Sequence, residues 1–416
     1  MLAIKLLGAA SGYILAWWVT QHEGAAAYGR FELALTVLAI GALGARLGLD
    51  GVMVKWLASA QVQGFAKLQR VVVARAVLMT TLAGFTCCAL VFWASNALTT
   101  WSGDENTRDM WPWVAVGIPL MALWGLSAEM LRGLSKMRSY ALSQQGVLTA
   151  VAVGVLWVCS FNVVEAYAWA VGVVTVMSMG MLLAALPNRG LEDVSAEDGD
   201  WSWRAMISTS WPMLMGSAMY LVMSWSDTLL VSHFLEEDQV GVYRLTFKLA
   251  AVVTLVQAAV NSYAAPLFSQ RHAVGDRDGL KQALRQSTLL NVAFSVPAFA
   301  GILIVGPTVL KWFGSEFMEG YSCLVWLAVG QLSMTLCGPV LYLLNMTGFE
   351  RTTNRILWST AAINVAMNAW AIPRYGIVGA AVTTAVSLAL WNGASAWAVH
   401  KKLGLNVWLD LIRWRD

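Results

Sequence analysis

Residues Trp203–Gln270 read WRAMISTSWPMLMGSAMYLVMSWSDTLLVSHFLEEDQVGVYRLTFKLAAVVTLVQAAVNSYAAPLFSQ. Two long apolar runs flank one short acidic turn, Leu235-Glu236-Glu237-Asp238-Gln239. Each run exceeds the ~20 residues that a helix needs to cross about 30 Å of hydrocarbon. One carboxylate, Asp227, lies inside the first run, eight residues before the turn. At ~1.5 Å per residue that is roughly 12 Å from the end of the helix. A charge at such depth costs about 2.5–3.5 kcal/mol, so Asp227 requires a partner, a wet cavity or a function.

The rest of the chain extends this pattern. Its 416 residues are 58% hydrophobic and 12% charged, with a mean hydropathy of +0.62. A soluble domain carries about 25% charged residues, so the composition is that of a polytopic membrane protein. A net charge of +3, with no basic run interleaved with aromatics, argues against nucleic acid as a partner. The five cysteines lie within apolar runs without metal or redox spacing and read as small hydrophobes. Tryptophans 17, 18, 101, 111, 201, 203 and 312 fall at run ends, as an interfacial belt would place them. The first run carries only Lys5 at its start and reads as a retained helix rather than a cleaved leader.

Twelve spans are predicted: Leu2–Thr20, Phe31–Leu57, Val71–Ser95, Trp111–Leu131, Tyr140–Ser160, Val164–Leu186, Trp203–Leu235, Val242–Phe268, Ala283–Gly306, Ser322–Met346, Ile356–Ile372 and Gly376–Val399. The longest polar segment, Pro187–Asp200, holds five carboxylates and separates six spans from six. The expected organisation is an N-terminal bundle over residues 1–186, an acidic linker over 187–202 and a C-terminal bundle over 203–416. Twenty of the 27 lysines and arginines fall on one side of this plan. By the positive-inside rule that places the linker and both termini in the cytoplasm. Tyr28 and Tyr243, Gly64 and Gly279, and Arg70 and Arg285 each lie 215 residues apart. This register fits two related bundles, a recurrent transporter plan.

No nucleophile elbow, zinc-protease motif, phosphate loop or nucleotide-binding domain is present, and no enzyme is expected. The informative residues are charges within spans. Arg46 and Asp50, four apart, share one helix face, either as a self-neutralising pair or as a ligand site. Arg244 and Lys248 either receive an anion or snorkel to the surface. Glu129 and Arg132 read as an interfacial pair, Arg75 and Lys55 as positive-inside anchors. Asp227 is the strongest functional candidate, the alternative being an inter-helix salt bridge to Arg244 or Lys248. Among the buried amides Gln257, Asn261, Gln331, Asn345, Asn364 and Asn368, packing is the expected role for most, with Asn261 equally a cavity residue. Together Arg46, Asp50, Arg244, Lys248 and Asn261 are the candidate substrate-binding set. Arginine suits a phosphate through its planar fork.

The run MSWSDTLLVSHFLEEDQVGVYRLTFKLA resembles the Wzx-type polysaccharide flippases, relatives of the multidrug MATE exporters and the lipid II flippase. Asp227, Gly241 and Tyr243 stand at the positions of that family's helix-seven Asp and its Gly-x-Tyr. The likeness continues through Trp312-Phe313-Gly314-Ser315-Glu316-Phe317, Leu343-Leu344-Asn345-Met346-Thr347-Gly348, and Asn364 to Ala381. It covers nearly all the chain.

The resemblance implies a MATE-like, all-α membrane fold of two six-helix bundles. It implies movement of an undecaprenyl-diphosphate-linked oligosaccharide through a cavity between them, while the lipid tail stays in the bilayer. Alternating access would be driven by H+ or Na+, with Asp227 as the ion site, no cofactor, and a glycan polymerase and chain-length regulator as partners in a bacterial inner membrane. The two extra helices of the lipid II branch are not expected. A multidrug or small-metabolite antiporter of the same fold, or a non-transporting scaffold of a glycan-assembly complex, remain the alternatives.

Overall fold

The computed structural model describes residues 2–62, 66–159, 161–186 and 202–406, and among them it contains helices and turns but no strand. Nearly all of the acidic linker, together with Gly64, Trp201, Arg413 and Arg415, lies outside the described residues. The chain divides into two compact units, Met1–Leu221 and Val222–Asp416.

In the first unit, α1 (Leu2–Ala45) holds the first predicted span and most of the second. The two helices meet at Gly24, whose φ of 83° is non-helical. The loop expected over residues 21–30 is therefore a single hinge residue. The chain then breaks at Leu47-Gly48, both at positive φ, before α2 (Leu49–Val62) completes the second span. Next come α3 (Ala66–Trp93), the short α4 (Ser95–Ser102) and a 3-10 turn over Glu105–Met110, which runs directly into α5 (Trp111–Gly133). Then follow α6 (Met137–Leu142), α7 (Gln145–Val158) and α8 (Val163–Ala185). The long α9 (Trp203–Phe234) begins in this unit and ends in the other.

The second unit has the same local grammar. α10 (Glu237–Ala250) passes through a 3-10 turn at Ala251–Thr254 into α11 (Gln257–Ala273). The long α12 (Arg277–Phe313) ends at a 3-10 turn over Ser315–Gly320 that enters α13 (Tyr321–Leu336), as the turn before α5 does. α14 (Val340–Met346) finishes that span. α15 (Glu350–Leu403) is again two helices hinged at one glycine, Gly376, at φ 60°.

Six of the described helices are each long and apolar enough to cross a membrane, and eight when the two bent pairs, α10 with α11 and α13 with α14, count as one span each. α1 and α15 hold two predicted spans apiece, and α7 and α9 occupy the remaining two, so helical backbone stands at every predicted span.

The helices close on small residues, as they must where lipid competes with apolar side chains for every contact. In the first unit a Cβ on Gly8 would lie 2.5 Å from the Gly146 Cα, and Ser11 bridges the same crossing to Thr149 at 2.7 Å. In the second unit a Cβ on Gly330 would lie 2.7 Å from the Ala385 Cα. The apolar core of the first unit joins Leu49, Met53, Leu57, Leu126 and Met130 to Met206 at the start of α9. That of the second joins Phe268, Leu284, Val340, Leu343 and Val399. Trp111, expected in an interfacial belt, is instead fully buried, its Nε1–H donating to Thr99 at 3.0 Å. Outside the membrane, the Gly279 N–H and the Arg271 guanidinium hold the Asp276 carboxyl below the usual carboxylate range. Asp276 thereby caps the first turn of α12.

Gly48 is the point where α9 presses on the span-two break. A Cβ there would sit 2.3 Å from the Ser210 carbonyl oxygen, at a φ of 73°. Gly48→Ala is expected to lower the melting midpoint of the detergent-solubilised protein by more than Gly103→Ala. The latter has φ 77° but open space, and so carries only the left-handed cost of about 1–2 kcal/mol. Equal shifts for the two variants would show that the contact with α9 is without weight.

Candidate functional site

Asp227 is 3% exposed, on the part of α9 that belongs to the second unit. Its Oδ2 accepts the Tyr243 hydroxyl at 2.5 Å and its Oδ1 accepts the Thr228 N–H at 2.8 Å. Tyr243 is itself fully buried midway along α10, which the acidic turn folds back beside α9. The charge of Arg244 acts on Asp227, but its guanidinium stacks 4.6 Å from the Trp225 ring centroid and 5.5 Å from that of Phe247. The nearest geometry around Asp227 is thus a carboxylate held by neutral donors, with a cation close by.

From Tyr243 a polar chain crosses to α15. Tyr243 lies 3.4 Å from the Thr384 hydroxyl. Next to it Thr383 donates to Asn368 Oδ1, Asn368 Nδ2 donates to Asn364 Oδ1 at 3.1 Å, and Asn364 Nδ2 donates to Ser387 at 3.0 Å. Ser226, next to Asp227, reaches Asn364 at 3.5 Å, a long contact. Asn364 and Asn368 stand four apart on one face, and Thr383, Thr384 and Ser387 return past them beyond the Gly376 hinge. Such a set of amide and hydroxyl oxygens beside one carboxylate can orient a proton or hold a small cation. Asn261 is placed elsewhere, on α11, buried beside the span-eight break. Among the described residues its Oδ1, like the Gln257 Oε1 one turn before it, accepts no hydrogen bond. Lys248 lies half-buried near the end of α10.

The first unit handles charge differently. Arg46 Nη1 pairs with Asp50 Oδ2 at 2.9 Å across the span-two break, and its Nε donates to the Ala42 carbonyl at 3.3 Å. The guanidinium lies against Gly125 of α5, where a Cβ would come within 2.8 Å of Nη1. One turn further along α5, Glu129 pairs with Arg132 at 2.6 Å. The charges of Arg132 and Asp50 act on one another, as do those of Glu129 with Asp50 and Arg46. The two pairs read separately from the sequence therefore form one tetrad. Arg75, expected as an anchor, lies half-buried with its guanidinium 5.1 Å from the Trp203 ring centroid.

The sequence reading also passed over Glu32. It is 4% exposed, and its Oε1 accepts the hydroxyl of the fully buried Tyr28 at 2.6 Å. Tyr28 and Tyr243, which lie 215 residues apart, thus both donate to a carboxylate, Tyr28 to one on its own helix and Tyr243 to one on the helix before it. The signal available was a Tyr and a Glu four apart at the start of the second predicted span, a spacing that shares one face once the helix extends back through Tyr28.

Residues 3–272 match the family model described as polysaccharide biosynthesis protein. The chain belongs to that family. The MatE model matches residues 212–373. A probable low-salt glycan biosynthesis flippase of Haloferax volcanii, Agl15, is 30% identical over 171 residues, covering 40% of this chain and 36% of that protein. The matched region is thus little more than a third of that relative's length. Two solved structures share the fold over most of their length. A multidrug resistance MATE family transporter of the MOP superfamily, inward-facing, has a TM-score of 0.71 at 12% identity, covering 97% of this chain and 95% of that one. The lipid II flippase MurJ in an inward closed conformation also gives 0.71, at 10% identity, covering 96% and 87%. The fold is that of the MOP transporters, and the chain is a multi-pass membrane protein.

Tyr243→Phe tests how Asp227 is held. It removes a donor from a buried carboxylate, for which the expected cost is about 1–3 kcal/mol, read as a lower melting midpoint in detergent. An unchanged midpoint would mean that other groups satisfy Asp227.

Proposed function

We propose that this protein is a flippase moving an undecaprenyl-diphosphate-linked oligosaccharide, such as an O-antigen, capsule or exopolysaccharide repeat unit, from the cytoplasmic to the outer leaflet. Its place is a bacterial inner membrane with both termini in the cytoplasm, and a glycan polymerase and chain-length regulator are its partners. The observation that carries this reading is the pair of arginines, Arg46 and Arg132, each set beside a carboxylate on neighbouring segments of the first unit. A diphosphate entering hydrocarbon unaided faces an ionic desolvation cost of order tens of kcal/mol. Guanidinium forks can replace much of its hydration. Family membership and the flippase among its relatives support the same class.

In this reading Asp227 is the coupling site, binding H+ or Na+ during alternating access. The neutral oxygens of Tyr243, Thr384, Asn364 and Asn368 surround or extend from it. Arg244, Lys248 and Asn261 complete the substrate set in the second unit. The fold is equally that of a multidrug exporter, so a cationic drug is the competing cargo, and the arginines Arg46, Arg132 and Arg244 argue against it.

The test is a lipid extract from cells depleted of the protein, analysed by mass. One polyprenyl-diphosphate glycan is expected to accumulate, and its mass names the repeat unit. Wild-type protein should clear it, whereas Asp227→Asn and Arg46→Ala, expressed at equal level, should clear it at least tenfold more slowly. No accumulation, together with changed sensitivity to cationic drugs, would move the protein to the exporter class.

A further inference from the structure

The tetrad on the span-two break, α2 and α5 contains two cations, Arg46 and Arg132, and two carboxylates, Asp50 and Glu129. As it stands it is electrically neutral. Its side chains are partly open: Arg46 is 21% exposed, Asp50 23%, Glu129 21% and Arg132 43%. Charges clustered on helices of this kind do not face hydrocarbon at a cost of about 2.5–3.5 kcal/mol each, so this opening leads to water.

The pairing is also incomplete. Among the described residues Asp50 Oδ1 is buried without a hydrogen-bond donor. Glu129 Oε2 lies 2.6 Å from Arg132 Nη2, yet the contact does not have the alignment of a hydrogen bond. Asp50 therefore keeps an oxygen free for a proton, and Glu129 frees one when its pair opens. Lys55 of α2, Arg70 of α3, Arg138 of α6 and Arg204 of α9 are exposed, and Arg75 is turned onto Trp203. Arg132 itself lies 5.8 Å from the Tyr140 ring centroid.

A lipid-linked oligosaccharide carries its diphosphate as a diester, with one fixed negative charge on each phosphate. Brought onto two arginines already neutralised by two carboxylates, it would leave two uncompensated negative charges among side chains that are only partly open to water. Such an uncompensated charge is not tolerated there. Either the carboxylates leave, which the helix backbone forbids, or they become neutral.

We propose that diphosphate binding at Arg46 and Arg132 is balanced by proton uptake at Asp50 and Glu129. The phosphate oxygens take over the guanidinium hydrogen bonds, the Arg46–Asp50 and Arg132–Glu129 pairs open, and each carboxylate binds one proton from water. No other bond forms or breaks, and the occupied site returns to neutrality. The substrate then travels with protons in the first unit, separately from any ion held at Asp227. This inference rests on the proposed flippase reading.

The test is proton uptake by the purified wild-type protein in weakly buffered detergent with a pH indicator. The ligand is a polyprenyl-diphosphate-linked N-acetylglucosamine, whose own charge is constant near neutrality. About two protons should be taken up per ligand bound, and the dissociation constant should rise by up to about tenfold per pH unit for each proton. Glu129→Gln or Asp50→Asn should each reduce the uptake by about one. Binding without proton uptake, with a pH-independent dissociation constant, overturns the inference and leaves the flippase reading intact. Full uptake retained in both variants also overturns it, since the protons then bind elsewhere. Absence of any binding to the wild type overturns the flippase reading and this inference with it. The wild-type measurement decides even if a variant fails to fold.

Discussion

Within hydrocarbon a peptide group has no water to turn to, so each N–H and C=O must be satisfied by the protein. This constraint accounts for the helical build and for where the helices fail. The interruptions at Leu47-Gly48, Ala251–Thr254 and Cys337–Pro339 all lie in spans packed by neighbours. Ser295 donates to the Val253 carbonyl at 2.7 Å beside one of them. Gly338 permits a close approach to Thr288 at another. An interrupted span is affordable only where a neighbouring helix supplies what the missing turn would have supplied.

The same constraint, applied to side chains, is met in two ways. In the second unit one carboxylate is held by a phenol, a backbone amide and a network of neutral oxygens, with its nearest guanidinium stacked on aromatic rings. In the first unit charge is opposed by charge, in a tetrad of zero net charge. A group surrounded by neutral donors responds to a single proton or small cation. A balanced set of ions responds to another ion by exchanging partners. The two units thus accommodate their charges by different chemistry.

Much of this was legible in the sequence, because membrane spans are written in composition. The twelve apolar runs, the acidic turn before Tyr243 and the depth of Asp227 needed only hydropathy and counting. The local pairing of Arg46 with Asp50 followed from their spacing on one face. What was not legible depends on contacts between distant segments. Nothing in the sequence joins Glu129–Arg132 to Arg46–Asp50 across helices some eighty residues apart, or selects Asn364 and Asn368 from the other buried amides. Trp111 misled for the same reason: its place at a span end marks depth, whereas burial against Thr99 is a matter of direction. Glu32 was overlooked because a carboxylate near a span end reads as solvated, and its tyrosine partner is visible only once the helix is built.

The helix Trp203–Phe234 begins among the core residues of one compact unit and ends as part of the other, with the division at Leu221. The natural cutting point in the sequence, the acidic linker, is therefore not the cutting point of the packing. A gene divided at the linker would yield a second polypeptide whose first 19 residues or so still belong in the core of the first. Gly48 and Gly51 are shaped to receive Ser210, Met213 and Leu214 from that segment. Two separately made halves would thus carry a built-in tenon and mortise. In fragment complementation, or in the history of a fused duplication, the halves would find one another through an exchanged half-helix rather than through surfaces alone.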